Sequence, residues 1–264
     1  MGPPRWGPTP ALAQAEVDFK AEFADRNGCF LLEDLKTGKV LAEYNPKRCK
    51  EQLSPCSSFK VAAAVMAFEK GILKDENQIV KWDGIKRDRK EINKDLTPFT
   101  WMSESAKWVT EWIMPQLGIE TIKHFLATFS YGNQDFSGGL KDSWVTSSLK
   151  ISAYEQVEFL KKLWTNKLPL SKRTVDLTKK IILVKKLGTT SELYGKTGTG
   201  CLEGHACMDR PDKMLGWFVG VLKSDSHEYV FAANASDLKD QSSPGGPRMR
   251  KTTIGILEKM GLVK

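Results

Sequence analysis

No run of eighteen apolar residues occurs in this chain, so none of it reads as a transmembrane helix. Histidine is scarce: His124, His205 and His227 are the only three in 264 residues, and none sits in a recognisable catalytic setting. The G-x-S-x-G turn that presents a histidine-activated serine is missing too. Zinc-finger spacing, aromatic RNA-binding signatures and basic heptads are also lacking. The net charge of +8, from 40 basic and 32 acidic side chains, is therefore read as a solvated basic surface, "KRDRK" at 86–90 included. Neither nucleic acid nor membrane insertion is expected. No repeat of 20–50 residues and no long linker is visible. Cysteine is sparse and odd in number: Cys29, Cys49, Cys56, Cys201 and Cys207 allow at most two disulfides and leave one thiol. Pairing is not fixed by sequence. Cys201, His205 and Cys207 in "CLEGHAC" do not match the usual paired zinc ligands, so a disulfide or plain thiols are preferred and no metal is expected.

What is present has a clear order. Residues 1–14, "MGPPRWGPTPALAQ", are proline-rich and lack the apolar core of a signal peptide. They read as a disordered or non-native start, although "ALA" at 11–13 resembles the small-residue pattern before a signal cleavage site. Residues 15–264 read as a single domain. An amphipathic helix is expected over 11–26, ended by Gly28. "CFLLEDLKTGKVLAEYN" follows as a β-hairpin with Gly38 in its turn. A buried helix is expected over 54–73 and a polar, irregular crossing over 74–100. Further helices are expected over 101–118, over about 119–129, and after the capping box Ser152–Glu155. "ELYGKTGTG", "MLGWFVGVL" and "YVFAANAS" read as strands, the middle one apolar on both faces, and 247–261 as a closing helix. Strands at both ends with helices between predict an α+β fold, with an antiparallel sheet built from both termini and a helical insert at about 57–165.

One charge stands out. "SPCSSFKVAAAVMAF" is a buried helix that carries a single ammonium, Lys60, three residues after Ser57. Ser54 is expected to cap it and Pro55 to open it. Residues three apart share a helix face, so Lys60 lies beside Ser57. Burial lowers a lysine pKa, and a neutral amine can take a serine proton. By itself S-x-x-K is common and the lysine could snorkel to the surface. "GKTGTG" supplies a possible partner: Lys196, Thr197 and Gly198 on a strand that a substrate can approach closely. A phosphate loop is excluded, because Thr190 stands where its first glycine is needed.

Ser57-Ser58-Phe59-Lys60, "YGN" at Tyr131-Gly132-Asn133, Trp144 within "SWVTSSLKIS", and "GKTG" followed by "GWFVG" occur in one order. From about residue 25 to 262 the chain resembles the class D (oxacillinase-type) serine β-lactamases. The resemblance implies a β-lactamase/transpeptidase-like fold and hydrolysis of β-lactam antibiotics. Ser57 would be the nucleophile. Lys60, N-carboxylated by CO2 or bicarbonate and held by the Trp144 indole N–H, would be the general base. Ser105 would relay a proton, the backbone N–H groups of Ser57 and Thr199 would bind the oxyanion, and Lys196, Thr197, Gly198 and Arg250 would bind substrate, with Arg248 a rival for the carboxylate. It also implies a periplasmic or secreted bacterial protein, monomeric or weakly dimeric, acting on small molecules. The residues alone leave Trp144 readable as core packing and Tyr131 and Asn133 as a turn. One departure bears on turnover: the family's Ser-x-Val is here Ser105-Ala106-Lys107. Were 101–118 one helix, Lys107 would face solvent. A sensor that is acylated but deacylates slowly, and a penicillin-binding peptidase, are the competing readings; "YGN" and Trp144 argue against the second.

Overall fold

A computed structural model describes residues 17–202, 213–225, 227–239 and 243–263. The hairpin signal becomes strands β1 (Arg26–Asp34) and β2 (Val40–Tyr44), joined through a turn where Gly38 takes φ +70°. The C-terminal third supplies β3 (Leu183–Leu187), β4 (Ser191–Cys201), β5 (Met214–Ser224) and β6 (His227–Asp237). Every pairing is antiparallel and the order is β2-β1-β6-β5-β4-β3, so β1 against β6 closes one sheet from both ends of the chain. The expected α+β, transpeptidase-like architecture is the one observed.

Period-two alternation sorts the sheet's side chains between two cores. On β5, Leu215, Trp217, Val219 and Val221 face the larger core, while Phe218 and Leu222 face the smaller one. The smaller core lies under α1 (Phe19–Phe23) and the closing helix α10 (Gly245–Lys259). The larger one holds α3 (Lys60–Glu69), whose residues 60–68 are all buried, and the helices around it. These are α4 (Pro98–Glu104), α5 (Lys107–Leu117), α6 (Ile119–Phe129) and α8 (Ala153–Trp164), with the short α2 (Pro46–Lys50) and α7 (Ser143–Thr146) and the amphipathic α9 (Lys172–Ile181) completing the shell. The Ser152–Glu155 capping box starts α8 as the sequence predicts. Cys29 and Cys49 form a disulfide tying β1 to α2, Cys201 is also disulfide-bonded, and Cys56 is a free, buried thiol. His205 and Cys207 lie outside the described residues.

Three local expectations are corrected. The helix over 11–26 is confined, among described residues, to Phe19–Phe23, and Gly28 is inside β1 rather than at a helix end. A Cβ at Gly28 would lie 1.9 Å from the Phe23 ring, so its glycine permits close packing. Residues 101–118 are two helices, because Ser105 takes a left-handed conformation (φ 55°, ψ 37°) and ends α4. Ser54 is not a cap: its hydroxyl donates to the Trp144 carbonyl (3.1 Å), and its carbonyl accepts from the Trp217 indole (2.9 Å). Ser54 therefore pins the turn before Ser57 to both β5 and α7.

Candidate active site

Ser57 sits in a 3₁₀ turn, Cys56–Phe59, which runs directly into α3 at Lys60. In a 3₁₀ turn residues i and i+3 eclipse, so the two side chains stack more closely than on an α-helix. Lys60 Nζ lies 2.9 Å from Ser57 Oγ. Lys60 is fully buried and has no carboxylate partner among the described residues. Burial first, and the Lys107 charge second, push its pKa down to about 7. An amine that is half neutral at neutral pH, bonded to a hydroxyl, is the arrangement a serine nucleophile needs.

Strand β4 brings the second half of the site. β3 pairs only with Ser191–Tyr194, so from Lys196 onward β4 has a free edge on that side among the described residues. One face of this segment lies against the Ser57 turn. A Cβ on Gly198 would come within 2.8 Å of the Pro55 carbonyl oxygen, and one on Gly200 within 2.4 Å of Cys56 Sγ. The two glycines of "GTG" thus let the strand backbone meet the nucleophile turn. Thr199 Oγ1 accepts from Gly246 N–H at 2.9 Å and holds β4 against the start of α10. Lys196 is buried, and among the described residues its Nζ reaches only Thr197, at 3.1 Å to the carbonyl and 3.2 Å to Oγ1. Burial, then repulsion from Lys60 and Arg250, holds its pKa well below the usual lysine range.

A cleft of about 490 Å³ opens over these groups, with Ser57, Ser105, Thr197, Thr199 and Arg250 on its walls. Of the two arginines of α10, Arg250 faces it. Arg248 is committed elsewhere, donating to Asp237 Oδ1 (2.6 Å) and to the Ser243 carbonyl (2.9 Å). Arg89, read from sequence as surface charge, also lines the cleft beside Glu104 (3.4 Å). Only the chain path of the irregular 74–97 segment brings it there, and no local pattern signals that.

Trp144 is buried, stacked on Phe59 (5.6 Å between ring centroids) and on Phe136 (6.2 Å). The "YGN" tripeptide organises the loop that carries it. Asn133 N–H donates to the Lys150 carbonyl and its Oδ1 accepts from Lys150 N–H, both at 2.9 Å, while its Nδ2 donates to the Ser148 carbonyl at 2.8 Å. Gly132 has φ +54°, and a Cβ there would fall 1.9 Å from the Lys150 oxygen. Tyr131 packs edge-on against Phe59 and Phe159. Its hydroxyl is buried without a hydrogen-bond partner of standard geometry, and burial raises its pKa. The tripeptide therefore clamps both ends of the loop bearing Trp144.

Lys107 pairs with Glu111 and Asp142 rather than with the nucleophile. Its Nζ is 2.9 Å from Glu111 and 3.3 Å from Asp142, and the side chain is 45% exposed. Burial works against its charge, but Glu111 and Asp142 outweigh that and raise its pKa. It acts on Lys60 through its charge, which lowers the Lys60 pKa.

This fold is a penicillin-recognising scaffold, and residues 28–253 match the penicillin binding protein transpeptidase domain. The chain belongs to the class D β-lactamase branch of that family. It is 36% identical over 247 residues to beta-lactamase OXA-1 of Escherichia coli, covering 91% of this chain and 87% of that one. A class D beta-lactamase structure from Bacillus subtilis superposes with TM-score 0.85 at 35% identity, over 96% of this chain and all of the other. The C-terminal domain of the Bacillus licheniformis BlaR penicillin-receptor superposes with TM-score 0.84 at 30% identity, over 93% and 96%. Among the described residues no helix is long and apolar enough to cross a membrane.

Proposed function

We propose that this protein hydrolyses β-lactam antibiotics through an ester on Ser57. The observation that carries the reading is the 2.9 Å contact between a fully buried amine and the Ser57 hydroxyl. Ser57 Oγ loses its proton toward Lys60 and attacks the lactam carbonyl carbon. The Ser57 and Thr199 backbone N–H groups receive the developing oxyanion. The lactam C–N bond breaks as the departing nitrogen takes a proton from Ser105, and the proton that Lys60 received from Ser57 replaces it. Water then opens the ester, releasing the acid and restoring the hydroxyl. Lys196, Thr197 and Arg250 hold the substrate carboxylate. Burial and the neighbouring cations lower the Lys196 pKa, and an arriving carboxylate would offset both by pairing with its ammonium.

The site also fits N-carboxylation of Lys60. A buried amine with a pKa near 7 and no carboxylate partner among the described residues is neutral enough to react with CO2, and by resemblance to the class D enzymes the Trp144 indole N–H would hold the product. The added carboxylate would supply an anionic base that stays unprotonated at neutral pH. A chromogenic cephalosporin followed over many turnovers, with and without bicarbonate, tests this. Sustained hydrolysis that bicarbonate accelerates, and that Ser57→Ala abolishes, is expected. A stoichiometric burst followed by arrest would instead assign the sensor role, the alternative that the likeness to the BlaR receptor domain keeps in view.

Lys107 enters this reading as a tuning charge. Its ion pairs are exposed, so Lys107→Val should change folding free energy by no more than about 1 kcal/mol. Removing the cation lets Lys60 keep its proton to higher pH. The acid limb of the acylation profile should therefore move upward, and an unmoved limb would show that the charge does not reach the dyad.

A further inference from the structure

A second cavity, of about 260 Å³, adjoins the cleft. The two share Ser103, Thr197 and Arg250 as walls, so they lie side by side. The annex differs in chemistry from the part at Ser57. Its walls include Phe99 and Met102 from α4, Ile182, Val184 from β3, and Phe218 from β5, with Lys196 and Arg250 at the junction. Phe99 is 44% exposed although it is a large apolar side chain. The volume is below the range of ~300–1,000 Å³ usual for whole ligands, and so suits one substituent.

Resting on the proposed β-lactam reading, we infer that this annex is a specificity subsite for an uncharged aryl substituent carried next to the substrate's carboxylate. In a fused-ring β-lactam the carboxylate sits on the carbon bonded to the lactam nitrogen. The neighbouring ring carbon (C3 of a cephalosporin) bears the variable group. With the carbonyl at Ser57 and the carboxylate between Thr197, Lys196 and Arg250, that group leaves the cleft on the side of the annex. Lys196 and Arg250 at the junction select among groups entering. A cationic substituent is repelled, an anionic one competes with the carboxylate for the same cations, and an uncharged ring passes to the apolar walls.

The test uses two cephalosporins with the same acylamino side chain, one bearing an uncharged aryl group at C3 and the other a methyl group. Their kcat/KM ratio is measured for the unchanged protein and for Phe99→Ala, because the ratio of ratios cancels the intrinsic reactivity of each ring. The unchanged protein should prefer the aryl compound. Phe99→Ala should cut that preference about tenfold, as expected for losing one ring face of apolar contact, and leave the methyl compound within about twofold. Val184→Asp, which puts a carboxylate in the annex, should lower the preference in the same direction. Acylation of Ser57 without an aryl preference, or a preference that neither substitution changes, overturns the annex assignment alone. Failure of both compounds to acylate Ser57 overturns the β-lactam reading and this inference with it.

Discussion

Lys60→Met should lower the rate of Ser57 acylation by at least ~10³-fold while making the folded protein more stable. The activity loss follows from removing the only base within hydrogen-bond reach of Ser57 Oγ among the described residues, and general-base contributions run to about 10²–10⁴. The stability gain follows from the amine's depressed pKa. Lys60 titrates near 7 when folded and near its ordinary 10.5 when unfolded. Between those values the unfolded chain binds more protons, so stability rises with pH across that window. Below about pH 7 the whole cost of burying the amine is present, and above 10.5 it is gone. Methionine has similar length and no charge. The variant's advantage in denaturant midpoint should therefore be largest at or below neutral pH and fade toward pH 10. An advantage that is constant with pH, or acylation at the unchanged rate, would contradict the description of Lys60 as a buried base with a lowered pKa.

The second large effect is on the loop that carries Trp144. Gly132→Ala should cost about 3 kcal/mol or more of stability, from two sources. Alanine in the left-handed region costs roughly 1–2 kcal/mol, and its Cβ would be driven against the Lys150 carbonyl, 1.9 Å away on the present backbone. That collision involves backbone on both sides, so it is relieved only by separating residues 132–133 from 148–150, which breaks the paired Asn133–Lys150 bonds. Urea denaturation reads the loss directly. A change below about 1 kcal/mol would show that the tripeptide is not the clamp.

Much of this was legible in the sequence, for physical reasons that can be named. β5 could be read as doubly covered because its apolar residues run without a break, and both cores are found on it. The Ser57–Lys60 pair was legible because a charge in an otherwise apolar helix is costly unless it is used. The spacing carried the contact even though the turn is 3₁₀ rather than α. The resemblance to class D enzymes pointed to Arg250, and the structure separates it from Arg248 through Asp237, whose partner is 11 residues away along the chain. What stayed hidden depends on tertiary context. β3 is five residues, "LVKKL", with polar side chains at its centre, and it is ordered by the edge of β4. α2 is a single turn opened by Asn45 in a left-handed conformation and held by a disulfide. The break at Ser105 has no glycine or proline to announce it, yet it lets Ser105 line the cleft while Lys107 turns outward. Arg89 was misread as plain surface because charge composition carries no position.

The most direct test of the Ser57–Lys60 account is peptide-mapped mass spectrometry after brief exposure to a penicillin and acid quench. The account predicts a mass increase equal to the whole drug, since ring opening expels nothing, located on the peptide that contains Ser57 and absent from Lys60→Met over the same interval. An adduct on any other residue, or no adduct together with no hydrolysed drug, would contradict it.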